Sequence, residues 1–132
     1  MSEKQPPRTR PVLDVLAIDC PDAEALAGFY AGILGWEVQE DSDDDWVTIQ
    51  PPGAGEGSQS LAFQQIDDYV EPTWPGGAHP QQFHLDLRVP DLADGEAQVL
   101  AAGARRHEHQ PSAEGSFVVY LDPAGHPFCL VS

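Results

Sequence analysis

The fold is decided by a strand and a helix start that follow one another in residues 83–91, FHLDLRVPD. Apolar and polar side chains alternate up to Val89, which is typical of a β-strand with one buried face. Pro90 ends the strand, and Asp91 is a suitable N-cap for a helix over residues 92–101. The helix-packed face is predicted to comprise Phe83, Leu85, Leu87 and Val89, and the opposite face His84, Asp86 and Arg88.

The same succession occurs earlier in the chain. Residues 12–18 form an apolar, β-branched run, Asp22 is the N-cap candidate, and residues 23–34 carry apolar side chains at helical spacing before Gly35. A shift of 69 residues superposes Asp22 on Asp91 and Val15 on His84, so the elements repeat although the residues differ. Further strands are predicted at 36–38, 46–49, 61–64, 117–121 and 128–131.

The repeat predicts one domain built from two related βαβββ modules. The first module covers about residues 12–68 and the second about 81–132, and residues 1–11 are expected to form a flexible leader. A chain of 132 residues is long enough to bury a core as a single domain. Two cysteines do not make a disulfide framework, and no stretch resembles a signal peptide or a membrane span, so a cytoplasmic location is expected.

The charge balance restricts the partners. The chain has 22 acidic residues against 6 lysines and arginines, a net charge of −16. Phosphate backbones and anionic membrane surfaces require basic residues, so neither nucleic acid nor membrane is an expected partner. A cationic small molecule would be attracted by this field. The alternative is that the acidity serves solubility alone.

Three stretches carry a family resemblance: DCPDAEALAGFYAGILGWEV at 19–38, PTWPGGAHPQQFHLDLRVPD at 72–91 and LDPAGHPFCLV at 121–131. Together they resemble the vicinal oxygen chelate superfamily, the glyoxalase and bleomycin-resistance proteins, and most closely the uncharacterised glyoxalase-like proteins of actinobacteria. The resemblance implies an α+β fold in which the two modules form one cupped mixed sheet around a pocket. It also implies a homodimer. The superfamily contains metal-dependent lyases and dioxygenases as well as metal-free antibiotic-binding proteins.

The resemblance also locates the superfamily's metal ligands, at equivalent strand positions of the two modules. His84 matches the ligand that opens the second module, and Cys129 stands where an acidic ligand follows the DPxG turn. The equivalent positions of the first module fall on Val15 and near Ala62, which offer no donor atom. We therefore expect no catalytic metal and no other cofactor. The alternative is a divalent metal at an atypical site that includes His84 and Cys129.

Three roles remain open for His84: a hydrogen bond to a ligand, a structural hydrogen bond to Asp86 or a neighbouring strand, and general acid–base chemistry. Trp74 either covers the mouth of the cup or packs at a sheet edge or dimer contact. Arg88 is expected to pair with Asp19 across the module junction. The candidate ligand-binding residues are His84, Asp86, Arg88, Trp46, Trp74, Phe117 and Tyr120.

These observations predict a protein that binds a small organic ligand in an aromatic cup without a catalytic metal. A metal-dependent lyase or dioxygenase with an atypical site at His84 is the second hypothesis. A partner-binding module with a vestigial pocket is the third.

Overall fold

A computed structural model describes residues 10–40, 43–55 and 58–132. Most of the predicted leader, Asp41 in the acidic loop and residues 56–57 in the glycine-rich turn lie outside these ranges. Neither helix in the described part of the chain has the length and apolarity that a membrane crossing requires.

The first module begins with β1, Val15–Cys20, and α1, Ala23–Leu34. The carboxylate of Asp22 accepts a hydrogen bond from the Ala25 amide, and Gly35 closes the helix with a φ of 68°. This cap pair is the one that the sequence predicts. The remaining strands of the module are β2, Glu37–Val38, β3, Trp46–Gln50, and β4, Ser60–Gln65.

The second module repeats this order. β5 is Leu85–Arg88 and α2 is Leu92–Ala102, capped by the Asp91 carboxylate, which accepts from the Asp94 amide. The module continues with β6, Arg105–Arg106, β7, Phe117–Leu121, and β8, Pro127–Val131. The predicted βαβββ repeat is therefore confirmed, and it includes the two-residue strand β6 that the sequence pattern does not reveal.

Each module has its own four-stranded mixed sheet, with the orders β1-β4-β3-β2 and β5-β8-β7-β6. In both sheets the first strand runs parallel to the last, and the other pairs are antiparallel. The predicted α+β class is confirmed, but the described strands form two sheets where the resemblance implied one. β1 and β5 are edge strands because neither has a second neighbour in the described chain.

One apolar core joins the modules on the helix-facing sides of the sheets. Phe29 of α1 lies edge-on to Phe128 of β8, and Tyr30 stacks on Phe63 of β4 with ring centroids 5.6 Å apart. Leu85, Leu87 and Val89 pack against this core, as the alternation predicts. The same prediction is wrong for Phe83, which is 84% exposed because β5 begins only at Leu85.

Candidate functional site

The concave face of the second sheet bounds a cavity of about 370 Å³, which we call the cup. The sheet register brings Asp86 of β5 and Val119 of β7 to either side of Cys129 on β8. Directly paired residues point to the same face, so these three side chains share the floor. The volume lies within the range of small-molecule sites. The walls that matter below are Trp74, Gln81, His84, Asp86, Phe117 and Cys129.

A polar group forms one side of the cup. The Nε2 atom of His84 lies 3.1 Å from Oδ1 of Asp86, and both side chains are about half exposed. With the sulfur of Cys129, their nearest donor atoms all lie within 4.8 Å of one another. Burial, and after it the neighbouring Asp86 carboxylate, raises the pKa of the Cys129 thiol to about 11. The thiol is therefore protonated at neutral pH.

The other side of the cup is aromatic. Trp74 lies edge-on to the rings of His107 and His109, with centroids 5.0 and 5.3 Å away. Its loop is tied together by Thr73, whose hydroxyl donates to the Gly76 carbonyl at 2.7 Å and accepts from the His79 amide at 3.0 Å. Trp74 is half-buried and contributes to the wall of the cup.

A second cavity, of about 600 Å³, adjoins the cup, and we call it the cleft. Its walls come from β1 and from the segment that leads into β5, so it lies where the two sheets fail to pair. His126 is fixed on one side, with Nε2 2.6 Å from the Asp19 carbonyl oxygen and 3.2 Å from the Tyr69 hydroxyl. Gln81, His84 and Pro127 line both cavities and form the ridge between them.

Three predicted ligand-binding residues lie elsewhere. Tyr120 is fully buried on the helix-facing side of β7, where it stacks on Phe128 and donates to Glu96 at 2.8 Å. It was grouped with Phe117 as an aromatic, but an odd separation of three residues along a strand places the two on opposite faces. Trp46 lines neither cavity, and its Nε1 donates to the Thr48 hydroxyl at 3.1 Å.

Arg88 is exposed and also lines neither cavity. The ion pairs among the described residues are His84–Asp86 and Arg106–Glu96. The expected pair between Arg88 and Asp19 is therefore not formed. Asp19 instead interacts through its main-chain carbonyl, with His126.

Two features of the site escaped the sequence analysis. Asp86 was considered for ligand binding but not as a third donor beside His84 and Cys129, although alternation already placed it on the same face as His84. Gln81 was not singled out. No periodicity marks it, because its position depends on how the loop before β5 packs.

The comparisons with known proteins agree with this architecture. A family model described as a glyoxalase-like domain matches residues 15–131 of the chain. The chain belongs to the glyoxalase-like domain family. The glyoxalase-like chain is also 33% identical over 135 residues to an ethylmalonyl-CoA/methylmalonyl-CoA epimerase from Cereibacter sphaeroides, with 90% of this chain and 93% of that protein covered.

Solved structures share the fold of this glyoxalase-like protein. A glyoxalase/bleomycin resistance protein/dioxygenase family enzyme from Burkholderia phytofirmans PsJN superposes with a TM-score of 0.66 at 16% identity, covering 91% of this chain and 97% of the other. The antibiotic binding protein TnmS3 from Streptomyces sp. CB03234 gives a TM-score of 0.59 at 20% identity, covering 93% and 96%. At these identities the likeness shows the fold alone.

A metal ion held between the two modules would need ligand atoms from both of them. Ala17 pairs with Ala62 in the first sheet where Asp86 pairs with Cys129 in the second, so the first module supplies methyl groups at the equivalent places. The residues therefore do not fit a site divided between the modules. His84, Asp86 and Cys129 are the residues that would hold a borderline ion such as zinc, and binding would first have to remove the Cys129 proton.

Proposed function

We propose that this glyoxalase-like protein binds a small organic ligand in the cup and does so without a resident catalytic metal. The observation that carries the proposal is the composition of the walls. Trp74 and Phe117 offer apolar surface, while His84 and Asp86 offer a few placed polar groups. Small-molecule sites combine these two features. The antibiotic binding protein TnmS3 shows that this fold supports binding of an organic molecule.

The charge of the walls favours a neutral or cationic ligand. Asp86 lines the cup and Asp19 the cleft, whereas the described walls of both cavities contain no lysine or arginine. A coenzyme A thioester carries several phosphate charges and would meet carboxylates without counter-ions here. The epimerase activity of the Cereibacter sphaeroides relative is therefore not the activity we propose for this chain.

The proposal is tested with 2-(2-naphthyl)ethylamine as the probe, titrated into EDTA-treated protein by isothermal calorimetry. We expect saturable one-to-one binding that EDTA does not reduce. His84→Ala should leave the protein folded and weaken binding about tenfold, which corresponds to the loss of one hydrogen bond in a partly buried site. Trp74→Phe should also weaken it. Trp46→Phe is the matched control and should bind like the wild type, because Trp46 lines neither cavity.

The same preparations separate the metal-dependent alternative. Titration of the wild-type protein with ZnCl₂ should give no tight stoichiometric binding at pH 7 if the proposal is correct. Stoichiometric zinc uptake that is lost in both His84→Ala and Asp86→Asn, together with probe binding that requires zinc, would instead support a metal-dependent enzyme.

A further inference from the structure

Gln81 is one of three described residues that line both the cup and the cleft, with His84 and Pro127. It lies in the segment between the Trp74 loop and β5, and it is half-buried. A ligand that extends from one cavity into the other would pass directly over this residue. Gln81 is therefore placed to contact such a ligand at its centre.

The side-chain oxygen of Gln81 is buried and accepts no hydrogen bond from any described residue. Buried polar atoms are nearly always paired, because an unpaired acceptor loses its hydration without compensation. It is the only side-chain atom in the described part of the chain in this condition. Because this oxygen is buried in the protein without ligand, a small rotation of the Gln81 side chain toward either cavity would bring it to a donor from outside the chain.

The surrounding charges indicate which donor would be favoured. The Asp86 carboxylate lies on the cup side of the ridge and the Asp19 residue on the cleft side, and the described walls hold no lysine or arginine. A protonated amine satisfies both requirements, because it supplies N–H donors and a positive charge. The rings of Trp74 and Phe117 provide faces against which a cation or an aromatic body can pack.

We infer that Gln81 is the specificity-determining residue of the cup and that it selects ligands carrying an ammonium group with at least one N–H on an apolar or aromatic body. The inference rests on the proposed function, since it names the ligand class of the same site. The Gln81 oxygen accepts the N–H, and Asp86 balances the charge. A quaternary ammonium of the same shape keeps the charge but has no hydrogen to donate.

Three probes test this: 2-(2-naphthyl)ethylamine, its N,N-dimethyl derivative and its N,N,N-trimethyl derivative. The first two carry N–H donors when protonated, and the third carries none. In the wild-type protein at pH 7, we expect the primary and tertiary ammonium probes to bind about tenfold more tightly than the quaternary probe. In Gln81→Met this advantage should fall to within about twofold, while affinity for the quaternary probe stays constant.

Two further variants control the comparison. Gln81→Glu keeps an acceptor of nearly the same shape, so it should keep or enlarge the advantage of the N–H probes. Loss of that advantage in Gln81→Glu would overturn the role of Gln81 even if Gln81→Met does not fold. Gln64→Met makes the same substitution at an exposed position of β4 that lines neither cavity, and it should behave as the wild type.

The outcomes distinguish the two claims. If no naphthyl probe binds to the wild-type protein, the proposed function itself fails. If the probes bind but the N–H advantage is absent, or persists unchanged in Gln81→Met, binding stands and the role of Gln81 is overturned. Persistence in Gln81→Met would mean that the quaternary group is excluded by its size.

Discussion

Cys129 lies on the floor of the cup, and the residue is only 7% exposed. Burial and the Asp86 carboxylate raise the pKa of the Cys129 thiol to about 11. The pKa of the Cys20 thiol is also raised to about 11, by burial and by carboxylates other than Asp86. Because only the thiolate reacts with iodoacetamide, both alkylation rates should rise about tenfold per pH unit between pH 7 and 10. Peptide-resolved mass spectrometry of timed samples measures each rate separately.

The Asp86→Asn variant makes this prediction specific. Removing the charge should lower the Cys129 pKa and speed its alkylation, and it should leave Cys20 unchanged because Asp86 does not act on that thiol. A Cys129 rate that already levels off near pH 9 would contradict the prediction.

Both folded-state pKa values exceed the ordinary value of 9.0, so the stability that depends on these neutral thiols is complete below about pH 9 and is lost as the pH rises through about 11.

At the level of single residues, the sequence predicted correctly those positions whose face of the strand follows from alternation. Alternation placed His84 and Asp86 on one face, and the structure brings them to 3.1 Å. Tyr120 was assigned to the cup because it is aromatic, although its odd separation from Phe117 along β7 places it on the opposite face of the strand. Gln81 could not have been found in this way, since an unpaired oxygen is a property of packing in three dimensions and leaves no trace in the order of residues.

Among the individual elements, the loop that carries Trp74 depends on a close approach at Gly77. Its φ is 92°, and a Cβ there would overlap the Thr73 hydroxyl oxygen. Gly77→Ala should therefore displace Thr73, break the hydrogen bonds that it forms in this loop, and lower the free energy of unfolding by about 2–4 kcal/mol. Urea denaturation measures the stability, and affinity for the naphthyl probe reports the position of Trp74.

Gly76→Ala is the matched control for this loop. Gly76 also has a positive φ, 69°, but a Cβ there meets no atom within 4 Å. It should cost about 1 kcal/mol from backbone strain alone and leave probe binding intact. Equal losses in the two alanine variants would show that the contact with Thr73 does not hold the loop.

The elements themselves were predictable to different degrees. Both helices were found because Asp22 and Asp91 are strong N-caps and glycines follow the last turns. β6 was missed because Arg105–Arg106 is too short to show any periodicity. The start of β5 was set two residues early because the alternation continues through His84 into Phe83, which lies outside the strand.

For the whole molecule, a buried hydrogen bond links the two modules in addition to their shared apolar core. The Tyr30 hydroxyl of α1 donates to Oδ2 of Asp122, in the turn between β7 and β8, at 2.6 Å. Tyr30→Phe would leave that buried carboxylate oxygen without this donor, so we expect a loss of about 2 kcal/mol in the free energy of unfolding by urea.

Tyr120→Phe is the matched control for this joint. Its partner Glu96 is more exposed and keeps a hydrogen bond from Arg106 at 2.7 Å, so the loss should be smaller. Burial already raises the pKa of Asp122 and the Tyr30 hydrogen bond opposes that rise. Because the Tyr30 hydrogen bond favours the charged carboxylate over the neutral acid, the Tyr30→Phe deficit should shrink as the pH falls and Asp122 becomes protonated. Equal deficits for both variants at pH 7 would contradict this account.

The global architecture was the most predictable level, because the repeat and the family resemblance both point to paired βαβββ modules. Neither the repeat nor the resemblance could show that β1 and β5 do not pair with each other. Periodicity records which face of a strand is buried, but it does not record whether two edge strands meet.

That separation has a consequence for how the main chain meets water. β4 and β8 are hydrogen-bonded on both sides, whereas β1 and β5 each have one row of amide and carbonyl groups with no strand partner in the described chain. In deuterated solvent, the outward amide hydrogens of β1 and β5 should be replaced earlier than the amide hydrogens of β4 and β8. Exchange should therefore begin beside the cleft as well as at the outer edges formed by β2 and β6.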